Sequence, residues 1–106
     1  MKKIEVFTQF HHFNDLCYKL NCMEGVSGVT VLQAHGFGRG KPSYDERLLK
    51  QKSKLEIFCK DEIVENIISA ILEMIDAVQQ FKGKIYVLPV DDAIRISTGE
   101  RGEDAV

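Results

Sequence analysis

Residues 64–78 limit the fold of this chain more than any other segment, because their apolar side chains recur every three to four residues. This period predicts an amphipathic helix with one apolar face. Asp61 stands where an N-cap is expected, and Glu62 and Glu65 fall near the positive end of the helix dipole. The stripe belongs to the hydrophobic core rather than to a cofactor site; it consists of Val64, Ile67, Ile68, Ile71, Met74, Ile75 and Val78.

A second, shorter helix is predicted near the start of the chain. Asn14 or Asp15 opens it, and Gly25 closes it. Its apolar residues recur at helical spacing and are Phe13, Leu16, Cys17 and Leu20.

Four segments have the alternation or the β-branched composition of strands. Residues 2–9 and 54–59 alternate between apolar and polar side chains. Residues 28–35 are β-branched, and residues 84–88 form a strand that Pro89 halts. Strands are therefore predicted at these four places.

The remaining segments connect these elements. Residues 37–53 are rich in Gly, Lys, Arg and Ser, which predicts a solvated loop that is functional or mobile. Residues 91–93 are expected to turn, and residues 94–97 to form a short final strand. The charged tail, residues 98–106, is ordinarily a solvated end.

The order of elements is β-α-β-β-α-β, which predicts an α+β fold of the ferredoxin-like kind. Its four-stranded antiparallel sheet carries both helices on one face. The other face presents large side chains such as Phe7, Leu32 or Ala34, Phe58 and Tyr86, and a bare apolar face of this kind favours a subunit interface. We therefore expect one domain over residues 1–106 that forms a homo-oligomer.

Composition excludes several classes of partner. The chain has 14 basic and 16 acidic residues and a formal net charge of −2, which gives no case for nucleic acid or an anionic membrane. No apolar run approaches the roughly 20 residues that span a bilayer, and the start does not resemble a secretory signal. The three cysteines lack Cys-x-x-Cys spacing, so reduced thiols in the cytoplasm are expected.

Residues 36–39 read Gly-Phe-Gly-Arg, a motif that by itself is more often a simple turn but that is also compatible with a phosphate site. Glycines at 36 and 38 let backbone N–H groups approach an anion closely. Arg39, Lys84 and Arg95 are candidates for charge-assisted donors, and arginine suits bidentate contact with phosphate. For Arg95 the alternative is an ion pair with Glu100 or Asp91.

With these residues in place, the chain resembles the PII signalling family over nearly its whole length. The resemblance implies a homotrimer that binds adenine nucleotides in clefts between subunits, without catalytic turnover. It also implies that a mobile loop contacts a partner protein, often a membrane transporter or a metabolic enzyme. The runs that carry the resemblance are 1–5, 25–31, 36–39, 54–57, 83–90, 93–96 and 98–102.

The resemblance also implies which residues meet the nucleotide. Thr30 and the backbone near Phe58 match positions that contact adenine, and Glu56 matches an acidic residue close by. Residues 82–84 match a segment that contacts phosphate, with Lys84 the strongest single candidate. The full predicted set is Gly28, Val29, Thr30, Gly36, Phe37, Gly38, Arg39, Glu56, Phe58, Lys82, Gly83, Lys84 and Arg95.

Several departures from the family pattern modify these expectations. The partner loop is short and its only tyrosine is Tyr44, so nucleotidylation is in doubt. Gly40 replaces a glutamine that helps to bind magnesium, ATP and 2-oxoglutarate, so 2-oxoglutarate sensing is not expected and magnesium is left open. Residues 78–82 lack the family's glycines, and Ser97 replaces a basic residue. ADP or AMP is therefore expected to bind in preference to ATP.

Two alternatives stay open. His11, His12 and His35, together with the cysteines, allow a metal-responsive or metal-binding protein of the same fold, although zinc-type spacing is absent. Cys17 and Cys22 are read instead as packing residues. A small phosphatase on this scaffold is the second alternative, but the sequence shows no nucleophile–base pair.

Overall fold

The computed structural model of the protein describes residues 1–8, 13–38, 49–76 and 83–106. Four strands and two helices follow each other in the order β1 α1 β2 β3 α2 β4, which confirms the predicted ferredoxin-like α+β fold. The strands are β1 (Lys2–Thr8), β2 (Thr30–Gly36), β3 (Lys50–Cys59) and β4 (Gly83–Pro89), and the helices are α1 (Phe13–Asn21) and α2 (Val64–Asp76).

The four strands form one antiparallel sheet in the order β2-β3-β1-β4. β1 lies between β3 and β4, so Ile4 pairs with Ile57 on one side and with Val87 on the other. β2 pairs only with β3, through partners such as Val31 and Leu55. The chain therefore has its two edge strands, β2 and β4, on opposite sides of the molecule.

The hydrophobic core lies between the two helices and the two central strands. Within the described strands, every buried residue comes from β1 or β3. Val31 of β2 and Val87 of β4 are on the helix side of the sheet, yet each is 43% exposed. The helices therefore cover only the middle of the sheet. The core residues are Ile4, Val6, Leu16, Leu20, Leu55, Ile57, Cys59, Val64, Ile67, Ala70 and Ile71.

The opposite side of the sheet, here called the open face, carries the alternate residues of each strand. The register places Phe7, Phe58, Leu32 and Tyr86 on it, as the alternation predicts. Leu32, Phe58 and Tyr86 are each exposed, and the Phe7 and Tyr86 rings meet edge-to-face with centroids 6.0 Å apart. Because these large side chains lie uncovered, this face of the chain is only partly shielded from solvent.

Two predicted boundaries are wrong. β3 begins at Lys50, four residues before the predicted start, so the loop predicted over 37–53 ends at residue 49. Asp61, the predicted N-cap, is instead the first residue of a 3₁₀ turn at Asp61–Ile63 that leads into α2, and Lys60 is the N-cap of that turn. The Asp61 carboxylate pairs with the amino group of Met1 at 2.9 Å.

The final strand predicted at 94–97 does not form part of the sheet. Ile94 makes a single bridge to Arg101, and the segment between them turns back on itself as a hairpin. Gly99 and Gly102 adopt positive φ angles of 75° and 67°, which glycine tolerates and other residues resist. This segment pairs with its own tail instead of with β4, so the predicted final strand is wrong.

Two smaller findings concern the helical layer. Cys17 is partly covered, but Cys22 is exposed, so the prediction that Cys22 is a packing residue is wrong. In the part of the chain that the structure describes, no helix has the length and apolarity needed to cross a membrane.

Candidate functional site

The predicted glycine loop lies at one end of the sheet, together with the start of β4. Gly36 is the last residue of β2, and Gly83 pairs with Thr8 at the matching end of β1. β2 and β4 are edge strands three strand spacings apart, which is about 14 Å. We call Gly36, Phe37, Gly38, Gly83 and Lys84 the loop-end group.

One cation near this group was missed in the sequence. The Lys52 ammonium lies 3.8 Å from the position that a Cβ would take on Gly38. Lys52 is in β3, on the same face as Lys54 and Glu56, because side chains two residues apart share a face. The sequence does not predict Lys52 as a ligand, because residues 50–53 read Lys-Gln-Lys-Ser, a polar run that falls within the predicted loop.

The predicted adenine contacts lie at the other end of the sheet. Thr30 is the first residue of β2 and pairs with Glu56, and Phe58 lies two residues beyond on the open face. Thr30 and Gly36 are six residues apart along β2, which corresponds to about 20 Å. A Cβ on Gly28 would meet no other atom within 4 Å, so there is space beside this segment.

Lys84 and Arg95, two of the predicted phosphate ligands, belong to different elements of the chain. Lys84 is near the start of β4, and Pro89 ends that strand about 17 Å further on. The Val90 N–H then donates to the Met1 carbonyl at 3.2 Å, so the chain continues past the end of the sheet before Arg95. Arg95 lies in the C-terminal hairpin, where its Nε is 3.8 Å from Glu100 Oε1.

Between the two ends, four charged side chains form a closed ring on the open face. Lys3 Nζ lies 2.6 Å from Glu5 and 3.0 Å from Glu56, and Lys54 Nζ lies 3.3 Å from each of the same carboxylates. We call these four residues the charge ring. Glu5 and Glu56 are direct cross-strand partners, so their repulsion is offset by the two lysines.

The contacts of the charge ring shift the pKa values of Lys3, Glu5 and Glu56. Hydrogen bonds from Lys3 and then from Lys54 hold the pKa values of Glu5 and Glu56 below their usual 4.5. The same contacts raise the pKa of Lys3. Lys3 also lies 5.7 Å from the centre of the Phe58 ring, and Lys54 lies 5.6 Å from that of Phe7. Glu56, which the resemblance places near the nucleotide, is therefore already paired in the free chain.

Some of the predicted residues cannot be placed. Arg39 and Lys82 lie outside the described residues, as do His11 and His12 of the metal alternative. In ranges 1–8, 13–38, 49–76 and 83–106, no three His, Cys, Asp or Glu side chains gather as a metal site would require. The metal alternative thus gains no support from the described part of the chain.

Comparisons with known proteins agree with this architecture. The family model for "Nitrogen regulatory protein P-II" matches residues 1–100. The chain is 38% identical to a nitrogen regulatory protein P-II from Haemophilus influenzae, over the full length of both proteins. It is 42% identical to a P-II homolog from Arabidopsis thaliana over 76% of this chain and 45% of that protein.

A solved structure has the same fold. The crystal structure of Arabidopsis thaliana PII bound to citrate superimposes with a TM-score of 0.79 and 37% identity, covering 99% of this chain and 91% of the other. The family match, the full-length similarity and the shared fold all concern the whole chain. The chain therefore belongs to the P-II family of nitrogen regulatory proteins, which are signalling proteins rather than enzymes.

Proposed function

We propose that this protein is a homotrimeric signalling regulator that binds adenine nucleotides in the clefts between its subunits. ADP or AMP is the preferred ligand, and ATP binds less well. Nucleotide binding sets the conformation of the segment between β2 and β3, and a partner protein recognises that conformation. The proposal is supported by membership of a family whose members bind adenine nucleotides in general.

One observation carries the inter-subunit placement of the site. Lys84 is near the start of β4, whereas Arg95 lies beyond the other end of that strand, in the hairpin closed by Ile94 and Arg101. A second copy can bring its hairpin to the loop-end group of the first. In a trimer with rotational symmetry this contact is heterologous, and it repeats three times to close the ring.

The exposed edge strands support the assembly. Val31 and Leu32 of β2, and Val87 and Leu88 of β4, are all exposed, although they lie on both faces of the sheet. Burying a side chain of this size stabilises a structure by about 1.5–3 kcal/mol. If neighbouring subunits cover β2 and β4, they therefore remove the exposed apolar surface of both edge strands from water.

The glycines of the site support a close ligand approach. Cβ atoms on Gly28 and Gly36 would meet no neighbour within 4 Å, so the fold itself does not demand glycine there. A ligand that packs directly against the backbone would require glycine at these positions, because a Cβ would occupy the space of the ligand. Lys52 adds a positive charge beside Gly38, where a phosphate would need one.

The preference among nucleotides follows from charge. Ser97 stands where a second basic residue would flank Arg95, so each cleft has fewer cations for a γ-phosphate. The partner is a transporter or a metabolic enzyme, and it reads the segment between Gly36 and Lys50. We place the protein in the cytoplasm, in keeping with its three free cysteines.

Calorimetric titration with ATP, ADP and AMP, with and without magnesium, tests the proposal. We expect Lys84→Ala to weaken ADP binding about tenfold or more, the usual effect of losing a charge-assisted hydrogen bond. Lys60→Ala is the matched control, because Lys60 is exposed and follows the far end of β3. No binding of any of the three nucleotides at millimolar concentration would refute the proposal.

A further inference from the structure

In the C-terminal hairpin, the Arg95 side chain lies next to the carboxylate of Glu100, a residue of the same hairpin. The Arg95 N–H donates to the Glu100 carbonyl at 2.9 Å, and the Gly99 N–H donates to the Arg95 carbonyl at 2.7 Å. These bonds place the two side chains on facing positions. Arg95 Nε then lies 3.8 Å from Glu100 Oε1, with both side chains about half exposed.

The Glu100 carboxylate is oriented by a neighbour. The Thr98 hydroxyl donates to Glu100 Oε1 at 2.8 Å, and the Glu100 N–H donates back to the Thr98 hydroxyl at 3.3 Å. The oxygen that faces Arg95 is the same one that Thr98 holds. The carboxylate is thus kept in position before any ligand arrives.

The hairpin contains a second ion pair, which lies further from its turn than Arg95 and Glu100 do. Arg101 pairs with Asp92, and the Ala93 N–H donates to the other oxygen of Asp92 at 2.8 Å. This pair braces the base of the hairpin, whereas Arg95 and Glu100 lie nearer its turn. Residues 91–106 carry five acidic residues and two arginines, so an incoming phosphate meets a negatively charged segment.

We propose that Glu100 competes with phosphate for Arg95 and thereby lowers the affinity of the site for anionic nucleotides. This inference rests on the proposed function, because it takes Arg95 as a phosphate ligand. Bound phosphate displaces the Glu100 carboxylate from the guanidinium, and Thr98 keeps the carboxylate close enough to return. Glu100 is a positioning residue in this scheme and touches no ligand atom.

The test compares Glu100→Gln with wild type, using ATP, ADP and uncharged adenosine at low salt. Glutamine keeps an acceptor for Thr98 but removes the charge that holds Arg95. We expect Glu100→Gln to bind ATP and ADP about two- to fivefold more tightly, the range of an exposed ion pair. Adenosine affinity should not change, because adenosine has no phosphate.

Asp92→Asn is the matched control, since it removes one carboxylate from the same hairpin without touching Arg95. A smaller effect there than in Glu100→Gln supports a specific contact. Equal tightening by both variants, equal tightening for adenosine, or no tightening in Glu100→Gln would overturn the inference while leaving the proposed function intact. Absence of ATP and ADP binding by the wild type would overturn both.

Discussion

Gly83 lies so close to Phe7 that a Cβ at this position would stand 2.4 Å from the Phe7 carbonyl oxygen. The contact is between backbones, so no side-chain rotation can relieve it. We therefore expect Gly83→Ala to distort the start of β4 and to lower the free energy of unfolding by about 1–3 kcal/mol. Thermal or urea denaturation measures this loss.

Gly28→Ala is the control for that experiment, because a Cβ there meets nothing within 4 Å. Its stability should stay within about 0.5 kcal/mol of wild type. If the two alanine variants unfolded at the same denaturant concentration, the close approach of β4 to β1 would be wrong.

Gly36→Ala separates ligand contact from folding. The free chain has room for a methyl group at this position, so the thermal midpoint should not change. If a phosphate packs against this backbone, the methyl group would block it, and ADP affinity should fall about tenfold or more. Calorimetry on Gly36→Ala, with its oligomeric state checked by light scattering, gives the result; an unchanged affinity would remove Gly36 from the site.

Neighbouring residues in α2 test the placement of the core. Ile71 is fully buried, whereas Leu72 is 49% exposed. Ile71→Ala should cost about 2–5 kcal/mol of unfolding free energy, because it leaves a cavity. Leu72→Ala should cost much less. Urea denaturation of both variants at one protein concentration makes the comparison, and similar losses would show that the helix is rotated from the orientation described.

The charge ring gives the protein a pH dependence on the acid side. Since the pKa values of Glu5 and Glu56 lie below 4.5 in the folded chain, the ring stabilises the fold above that value. The contribution is lost as the pH falls through the lowered pKa values. The double variant that combines Glu5→Gln with Glu56→Gln should therefore have a lower Tm than wild type at about pH 7. The difference in Tm between the two proteins should narrow towards about pH 2.

Asp61 and Asp92 also have lowered pKa values, but they are present in both the wild type and the double variant. Their titration therefore does not contribute to the difference in Tm. A Tm gap that stayed constant from neutral to acid pH would mean that the ring is not held by ionised carboxylates. Equal Tm values at neutral pH would mean that the ring adds nothing to the fold.

Side-chain spacing predicted the two helices, β1 and the second half of β3, whereas β-branched composition predicted β2 and the halt at Pro89 marked the end of β4. Spacing did not predict where β3 begins, since residues 50–53 are all polar and include the charged Lys50 and Lys52. A strand segment of polar and charged residues has the composition of a loop. For the same reason the sequence did not predict Lys52 as the cation beside Gly38.

The C-terminal hairpin shows a different limit of sequence reasoning. Ile94 and Ile96 alternate as strand residues do, yet Ile96 is fully exposed and Ile94 is 59% exposed. Their alternation says nothing about which segment they pair with, and here the backbone turns at Gly99. The resemblance to a known family supplied the role of Arg95, while only the structure shows that Arg95 lies apart from Lys84.

The most direct test of the proposed cleft is a mixing experiment with two variant chains, each of which is expected to bind ADP weakly by itself. Lys84→Ala and Arg95→Ala chains are unfolded together in equal amounts and refolded into mixed trimers, and ADP binding is measured by calorimetry. If Lys84 of one subunit works with Arg95 of the next, about a quarter of the clefts regain both cations and bind with wild-type affinity. If mixed trimers bind no more ADP than either variant alone, the two residues do not share a cleft between subunits, and the account is wrong.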